Sequence, residues 1–283
     1  MKFSKKDLAK LAIMANINLG SKEKSVPIIF HKSEDPCKVV AFTTIYSLPF
    51  VQMQTTLDNP LEKTFCVTDL SKFLNILNSL DISTLGVDIL ENDKNIKTLL
   101  LKDERTTING FPTGNENMAY FLANAKPEVN QQLHERSKTG LLPIDLNNAP
   151  SFIINHNEFS SIISTNFKVN NFEADNPPVS MILNFKSENE VVLKIGYDEN
   201  NLKKRGNNPP VLVKTLVKLE ESSKDISTDL NYIIPLKYLE TISKNHTVLK
   251  FYLEDQKAII HSLEKGEEVN DFEYRLAYHT TKN

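Results

Sequence analysis

The chain has 283 residues, which suits one large domain or two of ordinary size. Hydrophobic residues make up 40% and charged residues 24%, so it can bury real cores, and no apolar run approaches the roughly 20 residues of a membrane helix. A formal net charge of -3 argues by itself against a nucleic-acid binder, but a protein can be acidic overall and basic along one surface, so distribution rather than sum decides.

From the N-terminus, MKFSKKDLAKLAIMANI predicts a short strand at Met1–Phe3, a cap at Ser4 and a helix through KKDLAKLAIMA. The lysines recur at helical spacing and no small-residue cleavage site follows, so a secretory signal is not expected. The runs VPIIFHK, KVVAFTTIY and VQMQTTL then predict three strands. A second unit begins at TFCV, with Thr68 or Asp69 as cap, LSKFLNILNSL as helix, and TLGVDIL, KTLLLKD and TTINGF as strands. Asn109-Gly110 predicts a tight hairpin turn. Residues 115–150 carry little strand signal, with a short helix in MAYFLANA, and are expected to connect two domains at 1–114 and 151–283. The third unit is SFII, a cap at Asn155 or Asn157, the helix EFSSIIST, and the strands VSMILNFKS, EVVLKIGYD and VLVKTLVKLEE; the polar insert DENNLKKRGNNPP predicts an exposed loop. The fourth is NYII, then PLKYLETISK with Pro235 in the first helical turn, then TVLKFYLED, KAIIHSLE and YRLAYHT.

A unit of one strand, one helix and three strands therefore occurs four times, and two units make a domain. In the first three helices an acidic residue precedes an apolar, x, x, apolar, apolar pattern. These are Asp7 before Leu8, Leu11 and Ala12; Asp69 before Leu70, Phe73 and Leu74; and Glu158 before Phe159, Ile162 and Ile163. That spacing puts three apolar side chains on one helical face, and the fourth helix does so more loosely with Tyr238, Leu239 and Ile242. At about 100° per residue, the opposite faces carry Lys6 and Lys10, then Lys72, then Ser161, Ser164 and Lys168, then Lys237 and Lys244, with Glu240 nearby. The bland alternative is that any solvated helix face carries lysines.

Signals for catalysis are poor. The six histidines lack metal-ligand spacing, and there is no phosphate-binding loop, dinucleotide fingerprint or nucleophile elbow. Cys37 and Cys66 sit in apolar surroundings and are expected to be buried, reduced thiols. Neither enzymatic activity nor a cofactor or metal is expected.

As a whole the chain resembles the sliding clamps of T-even phages. MKFSKKDLAKLAIMANINLGS is similar to their first strand and inner helix, and FCVTDLSKFLNILNSLD to their second helix with its FLxIL core. KTLLLKDERTTINGFP resembles the strand pair that follows. LNYIIPLKYLETISKNHTVLKFYLEDQKAIIHSLE and YRLAYHT resemble the C-terminal half-domain and closing strand. The connector and the insert around Lys203–Arg205 are longer than in those clamps. The resemblance implies an α+β DNA clamp fold of two similar domains, with sheets outside and helices lining a ring, and three identical subunits per ring. It implies a processivity factor for replication, in the cytoplasm of a host cell if phage-encoded, that encircles duplex DNA without reading sequence. DNA polymerase and a clamp loader would be its partners.

The DNA-facing set is then Lys5, Lys6, Lys10, Lys72, Lys168, Lys237 and Lys244. Leu141, Leu142, Ile144, Leu276 and Tyr278 are candidates for a partner-peptide pocket, with ordinary core or connector packing as the alternative. KTLLL and EVVLKI are candidates for strands that join subunits, or else interior strands of one domain. The basic run at Leu202–Gly206 is either a nucleic-acid contact or solvent-facing charge. Readings from other classes are a structural or virion interaction protein built from duplicated α+β domains, and a small-ligand hydrolase.

Overall fold

A computed structural model describes residues 1–17, 28–32, 35, 37–43, 51–63, 65–67, 69–79, 84–91, 97–102, 105–112, 145–169, 180–196, 212–223, 225–263 and 272–282. The chain divides into two compact units, Met1–Pro143 and Ile144–Asn283. Of the expected connector at 115–150, residues 115–144 lie outside the described residues, as does MAYFLANA.

In the N-terminal unit the first repeat runs β1 (Lys2–Ser4), α1 (Lys5–Ile17), β2 (Ile28–Lys32), β3 (Lys38–Thr43) and β4 (Val51–Thr56). The second runs β5 (Phe65–Val67), α2 (Leu70–Ser79), β6 (Thr84–Glu91), β7 (Lys97–Lys102) and β8 (Thr107–Pro112). The strands form two antiparallel ladders ordered β1-β6-β7-β8 and β4-β3-β2-β5. Each ladder exchanges a strand between the repeats, because β1 pairs with β6 and β5 with β2. Neither repeat can therefore bury its apolar face alone. Phe3, Phe30, Phe65 and Phe73, from both repeats, meet in one buried ring cluster with centroids 5.0–6.4 Å apart.

The C-terminal unit repeats the order. Its third repeat is β9 (Ser151–Asn155), α3 (His156–Val169), β10 (Ser180–Ser187), β11 (Glu190–Ile195) and β12 (Val213–Ser222). The fourth is β13 (Leu230–Pro235), α4 (Leu236–Asn245), β14 (Val248–Glu254), β15 (Lys257–Ser262) and β16 (Glu273–Ala277), followed by β17 (His279–Lys282). These strands run β17-β13-β10-β11-β12-β9-β14-β15-β16. The long β12 serves two neighbours in turn: Val213–Lys218 pairs with β11, and the segment from Leu219 to Ser222 pairs with β9 across an irregular register. Phe152 stacks on Phe251 at 4.9 Å, with Phe159 and Phe185 edge-on, at the centre of this unit's core.

Helix starts follow the local chemistry. At α1 a reciprocal capping box forms: the Asp7 amide donates to Ser4 Oγ (3.1 Å) and the Ser4 amide to Asp7 Oδ2 (3.0 Å). Of the two cap candidates at α2, Asp69 accepts the Lys72 amide at 2.9 Å. At α3 it is Asn155 that accepts the Glu158 amide, at 3.2 Å. Pro235 stands at the cap position of α4, one residue before the first turn, with φ -58° and no side-chain cap bond.

Four local expectations change. Asn109-Gly110 does not make the hairpin turn. Leu101 pairs with Ile108 and Leu99 with Phe111, so Asn109 and Gly110 together oppose Leu100 as a bulge within β8. YRLAYHT is not one strand: it breaks at Tyr278, with β16 on β15 and β17 on β13. The Tyr278 amide at that corner donates to the Gln256 carbonyl at 3.0 Å. KTLLL and EVVLKI are interior strands, flanked by β6 and β8 and by β10 and β12. A continuous apolar run says nothing of an edge, and in β11 only Val191, Leu193 and Ile195 are buried. Cys37 is free and half-buried rather than fully buried, and the Cys66 side chain lies outside the described residues.

Candidate nucleic-acid interface

Within the N-terminal unit α1 packs beside α2, and within the C-terminal unit α3 packs beside α4. Each helix buries one face. Leu8, Leu11, Met14 and Ala15 of α1 are buried, as are Phe73 of α2, Phe159, Ile162 and Ile163 of α3, and Leu236, Tyr238, Leu239 and Ile242 of α4. The opposite arcs carry Lys5, Lys6, Ala9 and Asn16 on α1, and Ser71, Lys72 and Asn75 on α2, all exposed. On α3, Asn157, Glu158, Ser161 and Thr165 are exposed, and on α4 Lys244. The side chains of Lys168 and Lys237 lie outside the described residues.

Lys10 does not belong to the free face. It is only 3% exposed, and its ammonium donates to the Thr56 carbonyl at the end of β4. The physical reason is the true centre of the packed arc. Leu8, Leu11, Ala12 and Ala15 alone would put Lys10 opposite, but Asp7 and Met14 are fully buried and turn the arc toward Lys10. Lys10→Met keeps the aliphatic stem and removes the donor. It is expected to cost about 1–2 kcal/mol of stability and to leave duplex affinity unchanged, as read by thermal denaturation and a DNA titration on the same sample.

Two of the other lysines have a carboxylate neighbour. Lys6 Nζ lies 3.7 Å from Asp58 with both side chains half exposed, an ion pair worth little in water and easily given up to a phosphate. Lys244 pairs with Glu240 one turn earlier at 2.6 Å, so the acidic residue anticipated near that face occupies its neighbour. Among the described residues of the four helix faces, Lys5, Lys6 and Lys72 of the N-terminal unit and Lys244 of the C-terminal unit are the exposed lysines.

Asp7 organises the start of α1. Besides the Ser4 amide, its carboxylate accepts the Asp58 amide and the Asn59 side-chain amide, each at 2.7 Å. Burial alone would raise its pKa, but these hydrogen bonds outweigh it and hold the carboxyl below its ordinary value.

Leu276 is fully buried in the core of the C-terminal unit, where its position on β16 faces inward with Tyr274. Tyr278 is half-buried, its ring 5.9 Å from Tyr232, and burial followed by that neighbour pushes its hydroxyl pKa up. Leu141, Leu142, Ile144 and the basic run at Leu202–Gly206 lie outside the described residues. Two strand edges escaped the sequence reading. Among the described residues, β8 ends its ladder, and the Val213–Lys218 half of β12 has a neighbour on one side alone. Strand edges carry no composition signal, which is why neither was found from the sequence. Among the described residues no helix is long and apolar enough to cross a membrane.

The sequence matches no protein-family model and no curated protein. Solved structures do match the fold. A DnaN sliding clamp (DNA polymerase III subunit beta) from Bartonella birtlesii superimposes with a TM-score of 0.64 at 14% identity, covering 99% of this chain and 65% of that one. DNA polymerase III subunit beta from Pseudomonas aeruginosa gives 0.61 at 11% identity, covering 99% and 66%. The PCNA2-PCNA3 complex from Sulfolobus tokodaii gives 0.52 at 10% identity, covering 98% of both chains. The chain thus has the sliding-clamp fold; it spans about 65% of the length of the Bartonella subunit and 98% of the Sulfolobus chain.

Proposed function

We propose that the chain is a subunit of a DNA sliding clamp, a non-enzymatic ring that encircles duplex DNA and tethers the replicative polymerase. The carrying observation is that the fold matches sliding clamps over 98–99% of the chain. The exposed lysines at the helix starts support it: Lys5, Lys6 and Lys72 join Lys168, Lys237 and Lys244 in the proposed DNA-facing set, without Lys10. Lysine is a flexible point charge that meets phosphates without fixing one geometry. Phosphate contacts read no sequence and are salt-sensitive, which suits a protein that slides.

A two-domain subunit fits a ring of three copies, as the resemblance to T-even clamps implies, with β8 and the open half of β12 as the candidate closing edges. The T-even phage type, with work in the host cytoplasm and a loader that opens the ring, rests on the motif resemblance alone. Partner peptides would bind near the proposed pocket residues Leu141, Leu142, Ile144 and Tyr278.

Loaded on a nicked plasmid circle, the protein is expected to stay bound through gel filtration in salt and to leave once the circle is cut. Its solution mass is expected at three times the 32.1 kDa subunit. Equal retention on linear and circular DNA would refute encirclement.

A further inference from the structure

The C-terminal unit carries a second set of lysines, on a sheet face that the helices do not use. Along β12, Lys214, Leu216 and Lys218 alternate onto one side, while Val217 and Leu219 point into the core. Leu216 is 55% exposed. Antiparallel register places Val192 opposite Leu216 and Lys194 opposite Lys214. Lys186 of β10 stands at the other end of the face, beside the start of β11, and its charge still reaches Lys194. Burial, then Lys186 and Lys214, depress the Lys194 pKa. Like charges directly opposite across strands destabilise a ladder. Among the described residues, Lys186, Lys194 and Lys214 form no ion pair with a carboxylate; Glu190 stands opposite Lys218 and beside Lys186 at the other end of the face, four residues along β11 from Lys194.

We propose that this face of β10, β11 and β12 docks an extended acidic peptide segment of a partner protein, with an apolar side chain over Val192 and Leu216 and carboxylates on the flanking lysines. The spacing fits. Same-face residues of a strand repeat every roughly 7 Å, the repeat of alternate side chains in an extended peptide. An apolar residue at the centre of the lysines suits a peptide better than a phosphate backbone. Nucleic acid would gain nothing from Leu216, and none of the residues named on this face is an aromatic on which a base could stack. Docking here leaves the lysines of the helices free, so the proposal stands whether or not the chain encircles DNA.

The test is fluorescence anisotropy with a short labelled peptide of alternating pattern, Glu-Ser-Leu-Ser-Glu at its centre. A scrambled peptide of the same composition and an unlabelled duplex serve as competitors. Saturable binding is expected, weakened at least about tenfold both by Leu216→Ser and by Lys194→Glu with Lys214→Glu. Both variants are expected to melt as the parent does, because the changed side chains face away from the core. The proposal fails if no saturable binding is found, or if the scrambled peptide binds equally. It also fails if only the charge variant loses binding, which would mean counter-ion attraction, or if the duplex displaces the peptide, which would mean a nucleic-acid surface.

Discussion

Changing Lys5, Lys6 and Lys72 together to Glu is expected to shorten retention on circular DNA at least about tenfold at moderate salt, with the oligomer's mass unchanged. Each lysine that neutralises a phosphate releases a counter-ion, so losing three contacts per subunit lowers both the affinity and its salt slope, and added carboxylates repel the backbone. All three side chains are exposed and none sits in the core, so folding is not at stake. Retention half-life on nicked circles across a salt series, beside light scattering for mass, reads the effect. Lys10→Met belongs in the same series as a lysine that should do nothing to DNA. Unchanged retention and slope in the triple variant would remove the helix faces from consideration.

Asp7→Ala is expected to lower the N-terminal unit's stability by about 3–5 kcal/mol, seen as a fall in melting temperature of about 10 °C. The carboxylate is fully buried and accepts three hydrogen bonds, so its removal strands the Ser4 and Asp58 amides and the Asn59 side chain. The effect is pH-dependent with a definite sign. The folded carboxyl titrates below the unfolded value of about 3.9. Its stabilisation is therefore complete above that pH and is lost as pH falls through the folded pKa. The gap in melting temperature between parent and variant should be widest near neutrality and narrow in acid. A gap that stays constant down the acid limb would show that packing, not the charge, is what Asp7 contributes.

The order of elements was legible because it rests on period. Three apolar positions per helix and alternating or continuous apolar runs per strand recur four times, and capping residues mark where each helix begins. The pairing was less legible. β1 with β6 and β5 with β2 join segments far apart in sequence, and an apolar run reads the same at an edge as inside a sheet. Lys10 was misplaced because polarity was taken for exposure: its long stem lies along buried surface while the ammonium finds the Thr56 carbonyl. Asn109-Gly110 was misplaced because the same dipeptide serves a turn or a bulge, and register decides between them. The lysine face on β12 was visible as K-x-L-x-K, yet the sequence alone could not show that Val192 and Lys194 stand beside it.

The double role of β12 makes the duplicated halves mechanically unequal. In the C-terminal unit one strand is stitched to both of its neighbours, so backbone hydrogen bonds carry a load across the entire unit. In the N-terminal unit, among the described residues, the two four-stranded ladders share no strand and meet through packed side chains, the Phe3, Phe30, Phe65 and Phe73 cluster among them. Packed side chains slide where a ladder would have to break. Among the described residues, the two N-terminal ladders can therefore shift against each other more readily than can the strands that β12 joins in the C-terminal unit.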